Sequence, residues 1–292
     1  MFDTLIIGQI TLDHNIDYDG REEYMNGGAV TFSGYAAAAI GHRVAVLPKG
    51  NSKVIDPEKI FAQSKVEKIF AVECETCTEM QNTYFTADRE RRRCLNTKGI
   101  EPYQPSDLPD VEAKIYHLGG LVAGDFPRAF VEACAARGDV GLDVQGMMRF
   151  RNDDATLELR DWPEKKELLP LIRYLKTDAA EAEILTGTDD REKAAFQLCE
   201  WGAREVLITH NTEALVCDGT RIYRSKLCPR NLTGRTGRGD TTFAGYLCER
   251  LNHDIPEALE FAAALVSLKM ETPGPFRGTR RDVEDYIAKF YR

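Results

Sequence analysis

Long apolar runs, clustered cysteines and excess positive charge are all missing from this chain of 292 residues. No stretch approaches the ~20 apolar residues needed to cross a bilayer, so no membrane-spanning helix is expected. Met1 leads directly to Asp3 and the short run Leu5-Ile6-Ile7; no secretory signal is read there, and a cytoplasmic protein is expected. The eight cysteines are scattered singly except for Cys74 and Cys77. One such pair, with no second pair or nearby histidine at ligand spacing, is weak ground for zinc, and free thiols in a reducing compartment are expected. His14, His42, His117 and His253 are scattered too, and none is given a catalytic or metal-binding role. With 38 basic against 47 acidic residues the net charge is -9, which argues against a nucleic acid or an anionic membrane as partner. The one basic run, Arg89-Glu90-Arg91-Arg92-Arg93, is broken by an acid and reads as a solvated strand or turn. No G-x-x-x-x-G-K-S/T occurs, which excludes a P-loop kinase. The first strand does not lead into G-x-G-x-x-G, which counts against a dinucleotide oxidoreductase.

What is present is alternation of strand and helix. Residues 4–8 are a short apolar run ended by glycine, a buried strand, and residues 9–13 carry it on to Asp13 at its far end. An Asp19-Gly20 turn within residues 15–25 signals a hairpin. Asn26-Gly27-Gly28 precedes a small-residue helix over about 31–40, closed by Gly41, and residues 44–47 are a second buried strand. Short strands at 69–72, 83–86 and 92–95 then follow with no helix between them. With the hairpin they are expected to form a small antiparallel lid, from residues 14–26 and 69–97, separate from the main layer. After Pro109, strands at 114–118, 140–144, 171–177 and 205–209 alternate with helices, the first of which has Asp125 as its expected N-cap. A late hairpin lies within 214–223, and helices from Asp240, from about Pro256 and beyond Pro275 close the chain. Such alternation predicts an α/β fold, a mostly parallel sheet with helices on both faces and ligands beyond the strands' carboxyl ends. No repeat or low-complexity linker divides it, and residues 1–292 read as a single domain.

The most informative stretch runs from Asn231 to Phe243. It opens as a loop with two Gly-Arg repeats and becomes a helix with Phe243, Leu247 and Leu251 on one face. The glycines let backbone amides turn inward. The first helical turn adds unpaired N–H groups and the positive end of the dipole, which together suit a phosphate. Asp240 stands inside this nest. It either caps the helix or takes a proton from a hydroxyl that attacks the phosphoryl group held there.

Thr236-Gly237-Arg238-Gly239-Asp240-Thr241 resembles the T-G-A-G-D-T box of the ribokinase/PfkB family of small-molecule kinases, with Arg238 where alanine is usual. The resemblance implies a three-layer α/β/α ribokinase-like fold with a small β lid. It makes Asp240 the catalytic base and the amides of Gly237, Arg238 and Gly239 an anion hole. Four weaker boxes follow the family order. Asp13 stands where the family grips substrate hydroxyls, two of which one carboxylate can accept from. Gly27-Gly28 matches a G-G box where bare backbone approaches substrate, but Phe32 replaces the usual asparagine. That departure points away from ribose and fructose phosphates and towards inositol or nucleoside kinases. Gln145 offers a donor and an acceptor to a polyol, and Arg149 either binds phosphate or pairs with an acid. Asp178-Ala179-Ala180-Glu181 resembles the N-x-x-E segment that organises magnesium and phosphate, largely through water; taken alone, Glu181 reads as a first-turn helix acid. Thr209 falls where relatives carry T-x-G-x-x-G beside the nucleotide phosphates, though neither glycine is present.

The implied function is transfer of the γ-phosphate of ATP, with Mg2+, to a hydroxyl of a sugar, cyclitol or nucleoside. No side chain is expected to bind the metal directly, and the resemblance also implies a homodimer joined through the lid. Two rivals stand beside it. A hydroxymethylpyrimidine-type kinase shares the superfamily but normally lacks the early lid strands. A non-catalytic ligand-binding or regulatory protein on the same fold is the other, and retention of Asp240 argues against it.

Overall fold

Residues 5–7, expected as a buried strand, are completely excluded from solvent in the computed structural model, which describes residues 1–86 and 91–292. Arg89 and Glu90 of the basic run, and the part of the lid around them, lie outside the described residues. The first strand, β1 (Phe2–Gly8), ends at Gly8. The chain then leaves the main sheet to make a hairpin of β2 (Thr11–Ile16) and β3 (Glu22–Gly27). Asp13 therefore lies within β2 and not at the far end of β1 as the sequence suggested. Helix α1 (Ala29–Ala39) follows, buried along its whole length, as its run of small residues requires for close packing on a sheet. Next come β4 (Val44–Gly50), α2 (Pro57–Phe61), and two short strands, β5 (Lys68–Ile69) and β6 (Val72–Glu73). The latter two pair with β4 in the main layer. The lid's second part accordingly begins later than expected, with β7 (Thr78–Tyr84) and β8 (Arg92–Lys98).

The second half is regular. Strands β9 (Ala113–Leu118) and β10 (Asp139–Asp143) flank helix α3 (Arg128–Ala135). Asp125 does not cap α3: Pro127 does, and the Asp125 carboxylate instead accepts from the amides of Leu121 and Val122 at 2.7 and 2.9 Å. A residue preceding proline is steered out of the helical region, so Phe126 keeps the start of the helix from reaching back to Asp125. A short helix α4 (Gln145–Met148) leads into a hairpin the sequence did not announce, β11 (Arg149–Arg151) with β12 (Leu157–Leu159). Then follow α5 (Lys165–Leu168), β13 (Ile172–Asp178), α6 (Ala179–Thr186), α7 (Arg191–Glu200), β14 (Glu205–Thr209), β15 (Glu213–Cys217) and β16 (Ile222–Lys226). Helices α8 (Arg238–Glu249), α9 (Ile255–Met270) and α10 (Arg280–Phe290) complete the chain.

The main sheet runs β16-β15-β14-β13-β10-β9-β1-β4-β5, with β6 also on β4. It is parallel from β14 to β5 and antiparallel at β14–β15 and β15–β16. Alternate residues of β1 feed opposite layers, as strand geometry demands. Leu5 and Ile7 pack with α3, α6 and α7, while Ile6 packs with α1, α8, α9 and α10. This is the ribokinase-like three-layer arrangement. The lid is a four-stranded sheet in the order β3-β2-β7-β8. Its outer pairings are antiparallel, but β2 and β7 run parallel. The chain passes through α1, β4 and α2 between them, and a crossover of that length permits parallel pairing where a tight turn would not.

Candidate active site

Helix α8 starts at a glycine because nothing else fits. Gly237, its N-cap, has φ 77°, a left-handed conformation that a Cβ disfavours. A Cβ there would also stand 2.2 Å from the ring of Phe32. Phe32 is buried and so forms a floor under this loop; its ring meets backbone at the position where the resemblance has an asparagine. The Arg238 amide donates to the Arg235 carbonyl at 3.2 Å. Among the described residues the amides of Gly237, Gly239 and Asp240 have no acceptor. Of the three amides expected to form a hole, two are therefore open, the third is engaged in a turn, and that of Asp240 joins them. The Arg238 guanidinium reaches across to Asn211 Oδ1 at 2.9 Å, in the short loop between β14 and β15.

Asp240 is partly buried in the first turn of α8. Burial, helped by the negative charge of Asp143, pushes its carboxyl up to about 6, against the pull of Lys176, Lys269 and Arg149. Asp143 ends β10 and meets Lys176 of β13: the ammonium is 3.1 and 3.0 Å from its two oxygens, and 4.0 Å from Glu181 Oε2. Burial works against the charge on Lys176, but Asp143, Glu181 and Asp178 outweigh it and hold the ammonium above its ordinary range. Lys176 also approaches α8, since a Cβ on Gly239 would be 3.3 Å from its Nζ.

Asp178 and Glu181 form a reciprocal cap on α6, each side chain accepting the other's amide at 2.8 Å. Glu181, read from sequence as a first-turn helix acid, is in that turn and completes a capping box. Burial nevertheless pushes Glu181 up to about 7, and it touches the same lysine as Asp143. Thr209 ends β14 opposite Asp178, with its hydroxyl 3.5 Å from the Thr177 carbonyl. Asp178, Glu181 and Thr209 are therefore gathered at the carboxyl ends of β13 and β14. Among the described residues no three His, Cys, Asp or Glu side chains converge as a metal cage. Lys176 occupies the centre of the acid cluster, and one Asp178 oxygen stays outside the cap, a donor set that suits a hydrated ion held at the rim rather than a dehydrated one.

The other half of the site lies at the root of the lid. A Cβ on Gly27 would be 2.4 Å from Asp13 Oδ2 and 2.9 Å from Thr11 Oγ1, and one on Gly28 would be 2.1 Å from the Gln9 carbonyl. Both glycines are thus required by close approach. Asp13 Oδ1, Thr11 Oγ1, Gln9 Oε1 and Thr78 Oγ1 are buried with no hydrogen-bond partner among the described residues. Thr11 and Thr78 face each other in register. Unpaired buried polar atoms are costly, and a cluster of them implies a polar occupant. Burial holds the Asp13 carboxyl above its usual range, against the Thr11 hydroxyl and the charge of Arg92. Gln145 does not stand free: its Oε1 accepts from Arg149 at 2.6 Å. Arg149 links the two halves, since its charge bears on Asp240 and on Cys94, and Cys94 in turn feels Asp13.

Two lysines of this site had no role in the sequence reading. Lys176 lay two residues before a quoted motif, and Lys269 lay in none. A lysine in sequence is read as solvated because it usually is; here 5% and 2% of their surfaces remain exposed. The only local hint was apolar context, such as Tyr174-Leu175 before Lys176.

The chain is similar over most of its length to known kinases. The profile of the pfkB family carbohydrate kinases matches residues 71–279. Cytidine kinase of Thermococcus kodakarensis is 25% identical over 255 residues, 85% of this chain and 88% of that protein. Among solved structures, a pyrophosphate-dependent kinase in the ribokinase family, complexed with a pyrophosphate analog and myo-inositol, is 29% identical with a TM-score of 0.88. It covers 97% of this chain and 99% of that one. A sulfate complex of a pyrophosphate-dependent kinase of the same family is 30% identical with a TM-score of 0.89, covering 96% and 99%.

Proposed function

Since this chain belongs to the pfkB family of carbohydrate kinases, we propose that it phosphorylates a cyclitol such as myo-inositol, with Asp240 as the general base. The observation that carries the proposal is the placement of Asp240, an acid poised near 6 in the same helical turn as open amides. The acceptor oxygen attacks the terminal phosphorus of the donor, and its proton passes to the Asp240 carboxylate. The bond to the bridging oxygen breaks, and the leaving phosphate keeps the electron pair. The amides of Gly237 and Gly239, and that of Asp240, face the charge on the transferred group. Asp13, Gln9, Thr11 and Thr78 offer the unpaired polar atoms that a ring bearing many hydroxyls would satisfy. Gly27 and Gly28 keep that side open, and Gln145 with Arg149 closes the far wall.

For the donor we propose pyrophosphate. Arg238 bridges to Asn211 over the loop where a nucleotide-binding relative would carry two glycines, and a compact polyanion needs only the charged part of that groove. The solved relatives at 29% and 30% identity are pyrophosphate-dependent. ATP with Mg2+, expected from the motifs, is the second reading, favoured by Thr209 beside Asp178 and Glu181. Those three residues would hold the metal through water, where it would neutralise phosphate charge.

The test is 31P NMR, with phosphate release from pyrophosphate or ADP release from ATP, in magnesium buffer over a panel of inositols, hexoses, pentoses and nucleosides. Turnover of an inositol with pyrophosphate is expected, and Asp240→Asn should lower kcat by ~10²–10⁴-fold, the usual contribution of a general base. No transfer to any cyclitol, or an Asp240→Asn enzyme as fast as the parent, would remove the proposal.

A further inference from the structure

Asp125, which does not cap α3, has another partner besides the loop amides. Its Oδ2 accepts from Leu121 and Val122 at 2.7 and 2.9 Å, and the carboxylate also takes a hydrogen bond from the side chain of Gln9. Burial raises the Asp125 carboxyl, and these three donors pull it back, as hydrogen bonds to a charged acceptor do. The loop that carries Asp125 is clamped. The Tyr103 amide donates to the Asp125 carbonyl at 2.9 Å, and the Asp125 amide to the Val122 carbonyl at 3.1 Å. The ring centre of Phe126 lies 5.2 Å from that of Tyr103 and 5.5 Å from that of Phe130. The Ala123 amide donates to the Arg149 carbonyl at 2.9 Å, which ties this loop to the far wall of the acceptor site. On the other side Gln9 abuts Gly28, where an added Cβ would stand 2.1 Å from the Gln9 carbonyl.

A carboxylate only accepts, whereas a glutamine amide has two unlike ends. The end that meets Asp125 must be the NH2 group, so the oxygen is turned elsewhere. Gln9 is 1% exposed, and its Oε1 is buried with no partner among the described residues. Without the carboxylate the amide would be free to turn over and present either end; Asp125 removes that choice. A buried acceptor lacking a donor is costly, and this one adds to a wall already short of partners at Asp13 Oδ1, Thr11 Oγ1 and Thr78 Oγ1.

We infer that Asp125 is a positioning residue that fixes the Gln9 amide with its oxygen towards the acceptor, so that the enzyme selects a substrate hydroxyl that donates at that place. The inference rests on the acceptor site proposed above. It separates two abilities of one hydroxyl, because a ketone or a fluorine on the same carbon accepts but has no proton to give. Reversing the amide should therefore reverse the selection. In Asp125→Asn the two loop amides hold the oxygen of the new side chain, and its NH2 group faces Gln9. The Gln9 oxygen turns to meet that group, and the NH2 end of Gln9 then faces the acceptor.

The experiment measures kcat and KM for full-length wild type, Gln9→Met and Asp125→Asn with pyrophosphate and magnesium. The acceptors are myo-inositol and its monodeoxy, monofluoro and keto analogues at each ring position. At one position of the ring, all three replacements should raise the wild-type KM by ~10- to 100-fold, the cost of a buried acceptor left without a donor, with kcat changed far less. Asp125→Asn should lose the penalty for the keto and fluoro analogues at that position and keep it for the deoxy analogue. The parent hydroxyl can turn to accept instead, so its KM should rise only several-fold. Gln9→Met should treat the parent and all three analogues alike there. A folded Asp125→Asn enzyme with the wild-type pattern at every position, or one whose KM rises equally for every analogue as a merely structural loss would cause, overturns the proposal. So does a Gln9→Met enzyme that keeps every penalty. A wild type that takes keto and fluoro analogues as readily as myo-inositol at every unreactive position overturns it too, even if neither variant folds. Each of these leaves the kinase reading intact, whereas a wild type that phosphorylates no cyclitol removes both.

Discussion

A carboxyl group that titrates near 6 is ionised at pH 7 and ready to take a proton, but only just. For Asp240 the value follows from burial and the neighbouring Asp143 against three cations, and it fixes the sign of two pH effects. Catalysis needs the carboxylate, so kcat/KM for an uncharged acceptor should fall as pH drops through about 6. A rate still flat at pH 5 would contradict Asp240 as the base. Stability runs the other way. The folded-state pKa lies above the ordinary 3.8, so folding is favoured by the protonated form. The contribution is fully present below about pH 4 and lost as pH rises through 6. Asp240→Asn removes an ionisable group whose charge the fold disfavours, and should stabilise the protein at pH 7–8 by on the order of 1–3 kcal/mol. That gain should vanish at pH 4. Thermal unfolding at the two pH values checks it, and equal shifts at both would sink it.

At the scale of elements, the start of α8 was legible and its surroundings were not. The Gly-Arg repeats and the turn from loop to helix are local features, and the helix begins within two residues of its expected start. Strand β14 and the glycine stop after α1 were legible for the same reason, each needing only its own period or cap. The parallel partner of β2 was hidden because β7 lies far away in sequence and pairs only after the crossover. Gly237 shows why the local reading was still incomplete: the sequence shows a glycine, but not the Phe32 ring beneath it. Gly237→Ala should therefore cost roughly 1–3 kcal/mol for the left-handed backbone and a similar amount for overpacking. It should also lower kcat by ~10²-fold as the amides move. Gly41→Ala is the control, since Gly41 has φ 95° and nothing within 4 Å of an added Cβ. It should carry the backbone strain alone and keep full kcat. Equal losses of activity in the two variants would show that the Phe32 contact does not position the loop.

Over the whole molecule, alternation of strand and helix revealed the layers, because a parallel sheet must be covered on both faces. The electrostatics of the site were less legible, because composition reports a sum and not a distribution. The net charge of -9 would repel any polyphosphate at long range. Yet Lys269, Arg149 and Lys176 all act on Asp240, and Arg238 adds a guanidinium on the same helix. The two fields predict opposite responses to salt. Exposed charges more than ~8 Å apart are screened at physiological ionic strength, whereas partly buried ones at a site are screened much less. If the distant acids dominated, adding salt would help the donor bind. If the local cations dominate, salt weakens the attraction felt over the last few ångströms. Concave, low-dielectric surroundings focus a local field outward, so the local cations should prevail. The KM for the phosphoryl donor should rise several-fold between low and high sodium chloride, while the KM for an uncharged cyclitol stays constant. Steady-state titrations of each substrate across that range decide the matter, and a donor KM that falls with salt would show that the acidic bulk of the molecule governs approach.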